Sequence, residues 1–290
     1  MTLNYFFESG HIAEYDLYTL PGVSFTLRGP QWPLHASTPS ISFLGAAQAF
    51  GVFCKYPYAN LLGDMCSARV VNFGRGGAGA GFYLDQPAVL DYVNNTTCCV
   101  VQVMSARSSI ENSYMTSPYG LAGVKFKKGP LEGRSFMGHI AFPKLHEVLP
   151  ADEFYEIVEE TRAGYIEQMI RLAERIKVPK VLLYVGRNPP LTDLPADTQP
   201  KLGDLFGIHP HMVTGAMVEK IGRHFDATVV VYGPEGFDKP LVNRFTGQTV
   251  SIKRSETYTV KNHDAYISPV MHVRAAQKLY DPVNQILTLR

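Results

Sequence analysis

Five short runs of apolar, largely β-branched residues constrain the fold more than any other feature: Ile41 to Leu44, Arg69 to Phe73, Cys98 to Met104, Val181 to Val185 and Thr228 to Tyr232. Most are continuous rather than alternating, which is how strands buried on both faces of a parallel sheet read. Between and after them lie segments of helical character at Ala46 to Met65, Gln86 to Asn94, Asp152 to Lys177, His211 to His224 and Pro269 to Tyr280. Strand alternating with helix implies right-handed βαβ crossovers. The expected fold is therefore α/β, a three-layer α/β/α sandwich around a parallel sheet of about five strands.

The best-defined helix is Asp152 to Lys177. Phe154, Ile157, Val158, Thr161, Tyr165, Met169, Leu172, Ala173 and Ile176 form one stripe at spacings of three and four, opposite a charged face. Asp152 and Glu153 suit the positive first turn, Arg175 and Lys177 the negative last turn, and Pro179 blocks continuation. Such a stripe is core rather than a partner surface. Residues 1–40, aromatic and proline-punctuated, read as an arm wrapped on a domain spanning 41–290. Long loops are expected at 105–150, 187–210 and 233–263, the last with a hairpin around Thr249 to Lys253. The first two follow predicted strand C-termini, the edge where open α/β sheets place ligands.

Composition narrows the function classes. With 46% hydrophobic and 18% charged residues, intrinsic disorder and a coiled coil are excluded. Lys and Arg number 27 against 26 Asp and Glu, so no net field draws the chain to nucleic acid or to an anionic membrane. Cys54, Cys66, Cys98 and Cys99 lack CxxC spacing, and adjacent Cys98 and Cys99 point to opposite faces of one strand. Buried free thiols in a reducing compartment are the expectation. No Lys or Arg precedes Arg28, no signal-type apolar segment follows a basic one, and no run approaches 18 apolar residues. The expected product is made in the cytoplasm without a signal peptide or membrane insertion. Any outside role would come through another route, such as incorporation into a released particle.

Chemistry enters at the strand ends. The first strand runs into Gly45, Ala46 and Ala47, the second into Asn72, Phe73 and Gly74, the third through Gln102 to Arg107, and Ser268, Pro269, Val270, Met271 and His272 open a late helix. In that order the chain resembles the SGNH-hydrolase superfamily, an SGNH/flavodoxin-like fold. Its blocks supply a serine after strand one, a glycine after strand two, an asparagine after strand three and a late histidine. It resembles more closely a bacterial SGNH-like family akin to polysaccharide-biosynthesis and sulfotransferase-associated proteins. Arg28, Gly29 and Pro30, the Phe43 to Phe53 stretch, the Val100 to Arg107 strand, and the Met212 to Ile221 and Pro269 to Leu279 helices carry that likeness.

Against that pattern the nucleophile turn holds alanines, which have no hydroxyl, and Pro269 stands where the resemblance places an aspartate three residues before the histidine. Serine-ester hydrolysis at the usual position is not expected. Gly45 and Gly74 allow close backbone approach, unless they only make tight turns. The amides of Ala46 and Ala47 open a helix whose positive end favours an anion. Arg75, Arg107 and Arg187 follow strands at one sheet edge and could clamp a carboxylate, sulfate or phosphate, their bland alternative being surface ion pairs. His272 is the candidate base, with a hydrogen-bonded core histidine as its alternative, and His263 beside Asp264 is a displaced one. Asn72 and Asn112 complete the candidate ligand set. His209 and His211 resemble two metal ligands without a third at suitable spacing, so no metal is assigned.

These readings point to a non-hydrolytic carbohydrate-binding protein recognising a bacterial surface polysaccharide, as a homo-oligomer or as a subunit of an assembly such as a phage-like spike or fibre, with no cofactor. The alternative is an acyl- or sulfuryl-transferase, or an esterase-like enzyme, decorating capsule or exopolysaccharide, with His272 as general base and, for the transferase, acetyl-coenzyme A or a sulfate donor nucleotide as co-substrate.

Overall fold

The computed structural model describes residues 9–33, 38–108, 111–193, 201–253 and 259–289. Its centre is a parallel sheet built from the five apolar runs: β1 (Ser40–Leu44), β2 (Arg69–Asn72), β3 (Cys98–Gln102), β7 (Lys180–Gly186) and β8 (Ala227–Tyr232), in the order β2-β1-β3-β7-β8. The order reverses between β1 and β3, which opens a crevice beyond their C-terminal ends. The fold is the expected three-layer α/β/α sandwich.

Side-chain alternation divides the core between the two faces of the sheet. On one face Val101, Leu182 and Tyr184 pack with Phe154, Tyr165 and Met169. On the other, Ile41, Phe43, Val100 and Leu183 pack with Tyr58, Leu62, Met271 and Leu279. Cys98 and Cys99 fall on opposite faces and neither is in a disulfide among the described residues, while Cys66 is only half-buried. Each large apolar side chain buried this way contributes roughly 1.5–3 kcal/mol.

The helix running from Ala151 to Arg175 buries the predicted stripe together with Arg162, and Ile176 caps it in extended geometry. Arg162 enters the buried face because its guanidinium donates to Met212 O at 3.1 Å and Leu205 O at 3.1 Å and also reaches Glu159. The segment expected as one helix from Ala46 to Met65 is two, α1 (Ala47–Phe50) and α2 (Tyr58–Met65). Gly51 at φ 78° and Phe53 at φ 63° take left-handed conformations between them.

The 105–150 stretch is more ordered than expected. After two short helices, α3 (Ala80–Leu84) and α4 (Pro87–Asn94), and strand β3, it folds as a three-stranded antiparallel sheet. Its strands are β4 (Met115–Thr116), β5 (Gly123–Phe126) and β6 (Ser135–Met137), followed by α5 (Gly138–Val148). The long amphipathic helix is then α6 (Ala151–Arg175). α7 (Leu202–Phe206) lies within 187–210, and the helix expected from His211 begins later, as α8 (Gly215–Gly222), because Thr214 caps it by accepting the Met217 amide. The late hairpin pairs β9 (Ile252–Lys253) with β10 (Thr259–Val260), and α9 (Pro269–Thr288) closes the fold. No described helix is long and apolar enough to cross a membrane.

Arg28 fastens residues 9–33 to the rest of the chain. Arg28 is 2% exposed and donates to the carbonyls of Glu14, Phe50, Gly51, Cys54 and Lys55, with its guanidinium over the rings of Tyr15 and Phe50.

Candidate functional site

A cavity of about 910 Å³ opens at the C-terminal edge of the sheet. It lies where the turn after β1, the 3-10 turn Ala106–Ser108 after β3 and the chain after β7 converge. Of the residues singled out from sequence, Ala46, Ala47, Arg107, Arg187, His209, His211 and Asp264 line it.

The others lie elsewhere, each for a visible reason. Gly45 is packed under Gln102, whose Oε1 would sit 2.6 Å from an added Cβ. Asn72 donates from Nδ2 to Ala49 O at 2.8 Å and accepts the Gly74 amide at 2.9 Å, so it ties β2 to α1. Gly74 is a packing glycine, since a Cβ there would meet Phe50 N at 2.4 Å. Arg75 stands over the Phe25 ring, 5.5 Å from its centroid. Asn112 is buried and holds a turn, accepting the Tyr114 and Met115 amides at 2.9 and 2.7 Å and donating to Thr161. His263 is buried edge-on to Phe53, and burial above all holds its pKa at about 4. His272 is fully buried, stacked on Tyr58, and its Nδ1 accepts the Tyr58 amide at 3.0 Å. Burial, reinforced by the Arg28 charge, keeps it neutral. It does not line the cavity, which removes the geometric basis for a His272 base acting on a ligand there.

What the fold assembles at the cavity is a different polar cluster. Gln102 Oε1 accepts the amides of Ala46 at 3.1 Å and Ala49 at 3.0 Å. Its Nε2 is then the donor and meets His209 Nε2 at 3.2 Å, which leaves the His209 proton on Nδ1. That Nδ1 lies 3.1 Å from Ser105 Oγ, which also accepts the His211 amide at 3.0 Å. The Ser105 hydroxyl proton is directed to His211 Nδ1 at 3.2 Å, and the same nitrogen accepts Arg107 Nε–H at 3.0 Å. The His211 proton therefore sits on Nε2. Sequence reasoning noticed the two histidines only as incomplete metal ligands. Here Gln102 and Arg107 donate to their lone pairs, and no group of three His, Cys, Asp or Glu suited to a metal occurs among the described residues.

Electrostatics follow from this wiring. Burial first, then the Arg107 charge, lowers His209 to about 3 and His211 to about 2, so both are neutral at pH 7. Burial also lowers Arg107 to about 10, far above neutrality, so it stays charged. Ser105 faces a nitrogen already engaged by a guanidinium, which is a poor proton acceptor. The cluster is built to hold Arg107 and two neutral rings in place rather than to generate a serine alkoxide. No short motif marks Ser105, Gln102 or His139, which also lines the cavity; the one sequence signal was the His209, Pro210, His211 run closing a long loop.

The family model for a domain of unknown function, DUF6473, matches residues 3–118 and 133–287. The chain belongs to the DUF6473 family. No curated protein matches this DUF6473 chain. Among solved structures it is similar to a protein assigned to the G-D-S-L lipolytic family from Desulfitobacterium hafniense, at 10% identity and a TM-score of 0.34 over 85% of this chain and 98% of that one. It is also similar to a catalytic mutant of an acetylxylan esterase from Geobacillus stearothermophilus, at 10% identity and a TM-score of 0.38 over 86% and 94%. A gut microbial diltiazem-metabolizing enzyme matches at 18% identity and a TM-score of 0.30 over 64% of the DUF6473 chain, which spans about a third of that enzyme, 33%.

Proposed function

We propose that this DUF6473 protein is a non-hydrolytic carbohydrate-binding protein whose ligand is a bacterial surface polysaccharide, held in the cavity at the C-terminal edge of the sheet. One observation carries the reading: beside a turn of alanines, the Gln102 carboxamide occupies the Ala46 and Ala49 amides. A hydrolase of the resembled type needs a hydroxyl and free backbone donors there, and this turn has no hydroxyl and has spent the Ala46 donor. The space itself is retained, at a volume within the range of ligand pockets. Phe237 and Tyr266 offer ring surface, and Gln48, Ser108 and Asn188 offer planar or hydroxyl groups suited to sugar hydroxyls.

The transferase alternative loses ground because His272 sits in the core, with Nδ1 committed to the Tyr58 amide. The test is isothermal calorimetry with fragments of capsular polysaccharide, run beside p-nitrophenyl acetate hydrolysis and titrations with acetyl-coenzyme A and a sulfate donor nucleotide. Saccharide heat without ester turnover or donor heat is expected. Ester turnover above background, or donor binding followed by transfer, would overturn the reading.

A further inference from the structure

We propose that the cavity contains an oxyanion subsite centred on Arg107, so that its ligand carries a carboxylate or sulfate group; on the reading above, this makes it an acidic saccharide. The guanidinium makes one hydrogen bond among the described residues, from Nε to His211 Nδ1 at 3.0 Å. Nη1 is buried and has no acceptor, although the residue lines the cavity. Two other buried guanidinium groups are held by more acceptors: Arg28 reaches five carbonyls, although its Nε too has none, and Arg162 reaches two carbonyls and Glu159. A charged donor lacking a partner inside a protein is costly unless something else supplies one.

The described groups around Arg107, apart from the exposed Asp264, agree with an anion. His209 and His211 are neutral, and the tautomer fixed by Arg107 and Ser105 leaves the His211 Nε2–H as a second donor. His139, on α5, lines the cavity, and partial desolvation first and then the Arg107 charge lower its pKa. Arg187 brings a second cation but is paired with Asp238. Asp264, the one carboxylate among the described lining residues, is exposed, and its Oδ1 accepts the Ala265 amide at 2.8 Å. Among the described residues Tyr266 is the group that opposes the desolvation of Arg107, and no described carboxylate is paired with it. Gly138 fixes the backbone of this turn, since a Cβ there would meet Arg107 O at 2.9 Å. A planar guanidinium whose buried Nη1 lacks an acceptor, at a residue lining the cavity, suits the oxygens of a carboxylate or sulfate.

The probes are inorganic sulfate, glucuronate, glucose 6-sulfate and glucose, titrated by calorimetry at constant ionic strength with chloride as the balancing ion. Wild type is expected to bind sulfate, and Arg107→Gln to weaken it at least about tenfold, with Arg107→Lys between the two because it keeps the charge and loses the fork. In the wild-type protein sulfate should also shift the His211 Nε2–H resonance, a readout that needs no variant to fold. Absence of sulfate binding, equal affinity in Arg107→Gln, or an unmoved His211 resonance would overturn the subsite. If sulfate binding depends on Arg107 but neither acidic sugar binds more tightly than sulfate, the subsite stands and the saccharide reading falls. If polysaccharide fragments bind equally in wild type and Arg107→Gln, the saccharide reading stands and the subsite falls.

Discussion

Gln102 joins three things that would otherwise be independent: the amides after β1, the imidazole of His209 and, through it, the Ser105 hydroxyl. Replacing it by leucine keeps the approximate volume and strips two buried amides of their acceptor, which costs about 1–3 kcal/mol for each group left unpaired. Gln102→Leu should therefore lower the urea midpoint by the equivalent of about 2 kcal/mol or more, whereas a loss below about 0.5 kcal/mol would mean that the amides find other partners. Gly74→Ala should be worse than Gly45→Ala in the same measurement. The first drives a Cβ against backbone, at Phe50 N, while the nearest atom in the second is a side-chain oxygen. At this scale the sequence was partly legible. That residues 46 and 47 are alanines and carry no hydroxyl is read directly from their identity. That His272 would spend its lone pair on the Tyr58 amide, 214 residues apart in sequence, follows from packing that no local pattern encodes.

Among elements, the five strands were readable because burial on both faces forces continuous apolar runs, and the Ala151–Arg175 helix because a single wet face forces a 3.6-residue period. The regions misread as irregular lack either signal. β4, β5 and β6 are two to four residues long, and α5 carries Pro143 in its interior, so neither period can establish itself. The break between α1 and α2 is likewise imposed by tertiary fit, with Pro57 packed 2.5 Å from where a Gly51 Cβ would stand. Arg28 gathers this break and the arm, since its acceptors come from Glu14 on one side and Phe50 to Lys55 on the other. Arg28→Met preserves much of the stem and removes all five bonds, so a destabilisation of roughly 3 kcal/mol or more is expected, read by urea denaturation. Limited proteolysis should then cut the arm before the domain. Cleavage starting in the domain, with the arm still protected, would show that Arg28 does not couple them.

Across the whole molecule, four imidazoles are held neutral by burial: His209 at about 3, His211 at about 2, His263 at about 4 and His272 well below its ordinary value. In the unfolded chain each has a pKa near 6.5. Above that value neither state is protonated and the four groups leave stability independent of pH. As pH falls below about 6.5 the unfolded chain takes up protons that the native state refuses, so stability is lost, and the loss continues down to the native pKa values. Each group contributes up to ~1.4 kcal/mol per pH unit in that window. Two such groups together remove up to ~2.8 kcal/mol per pH unit, so by about pH 4.5 they consume up to ~6 kcal/mol, the lower end of a folding free energy of about 5–15 kcal/mol. Urea midpoints at pH 7.5, 6.5, 5.5 and 4.5 should be flat over the first interval and then fall steeply. His211→Gln, which removes one titrating group while retaining a polar side chain in the cluster, should flatten the fall by about one proton relative to wild type. The same change should leave the pH 7.5 midpoint lowered, because Ser105 and Arg107 lose the nitrogen they share. A wild-type profile that stays level from pH 7.5 to 4.5 would mean that these imidazoles open to water without unfolding, and the neutral, desolvated wall that His209 and His211 form beside Arg107 would not exist.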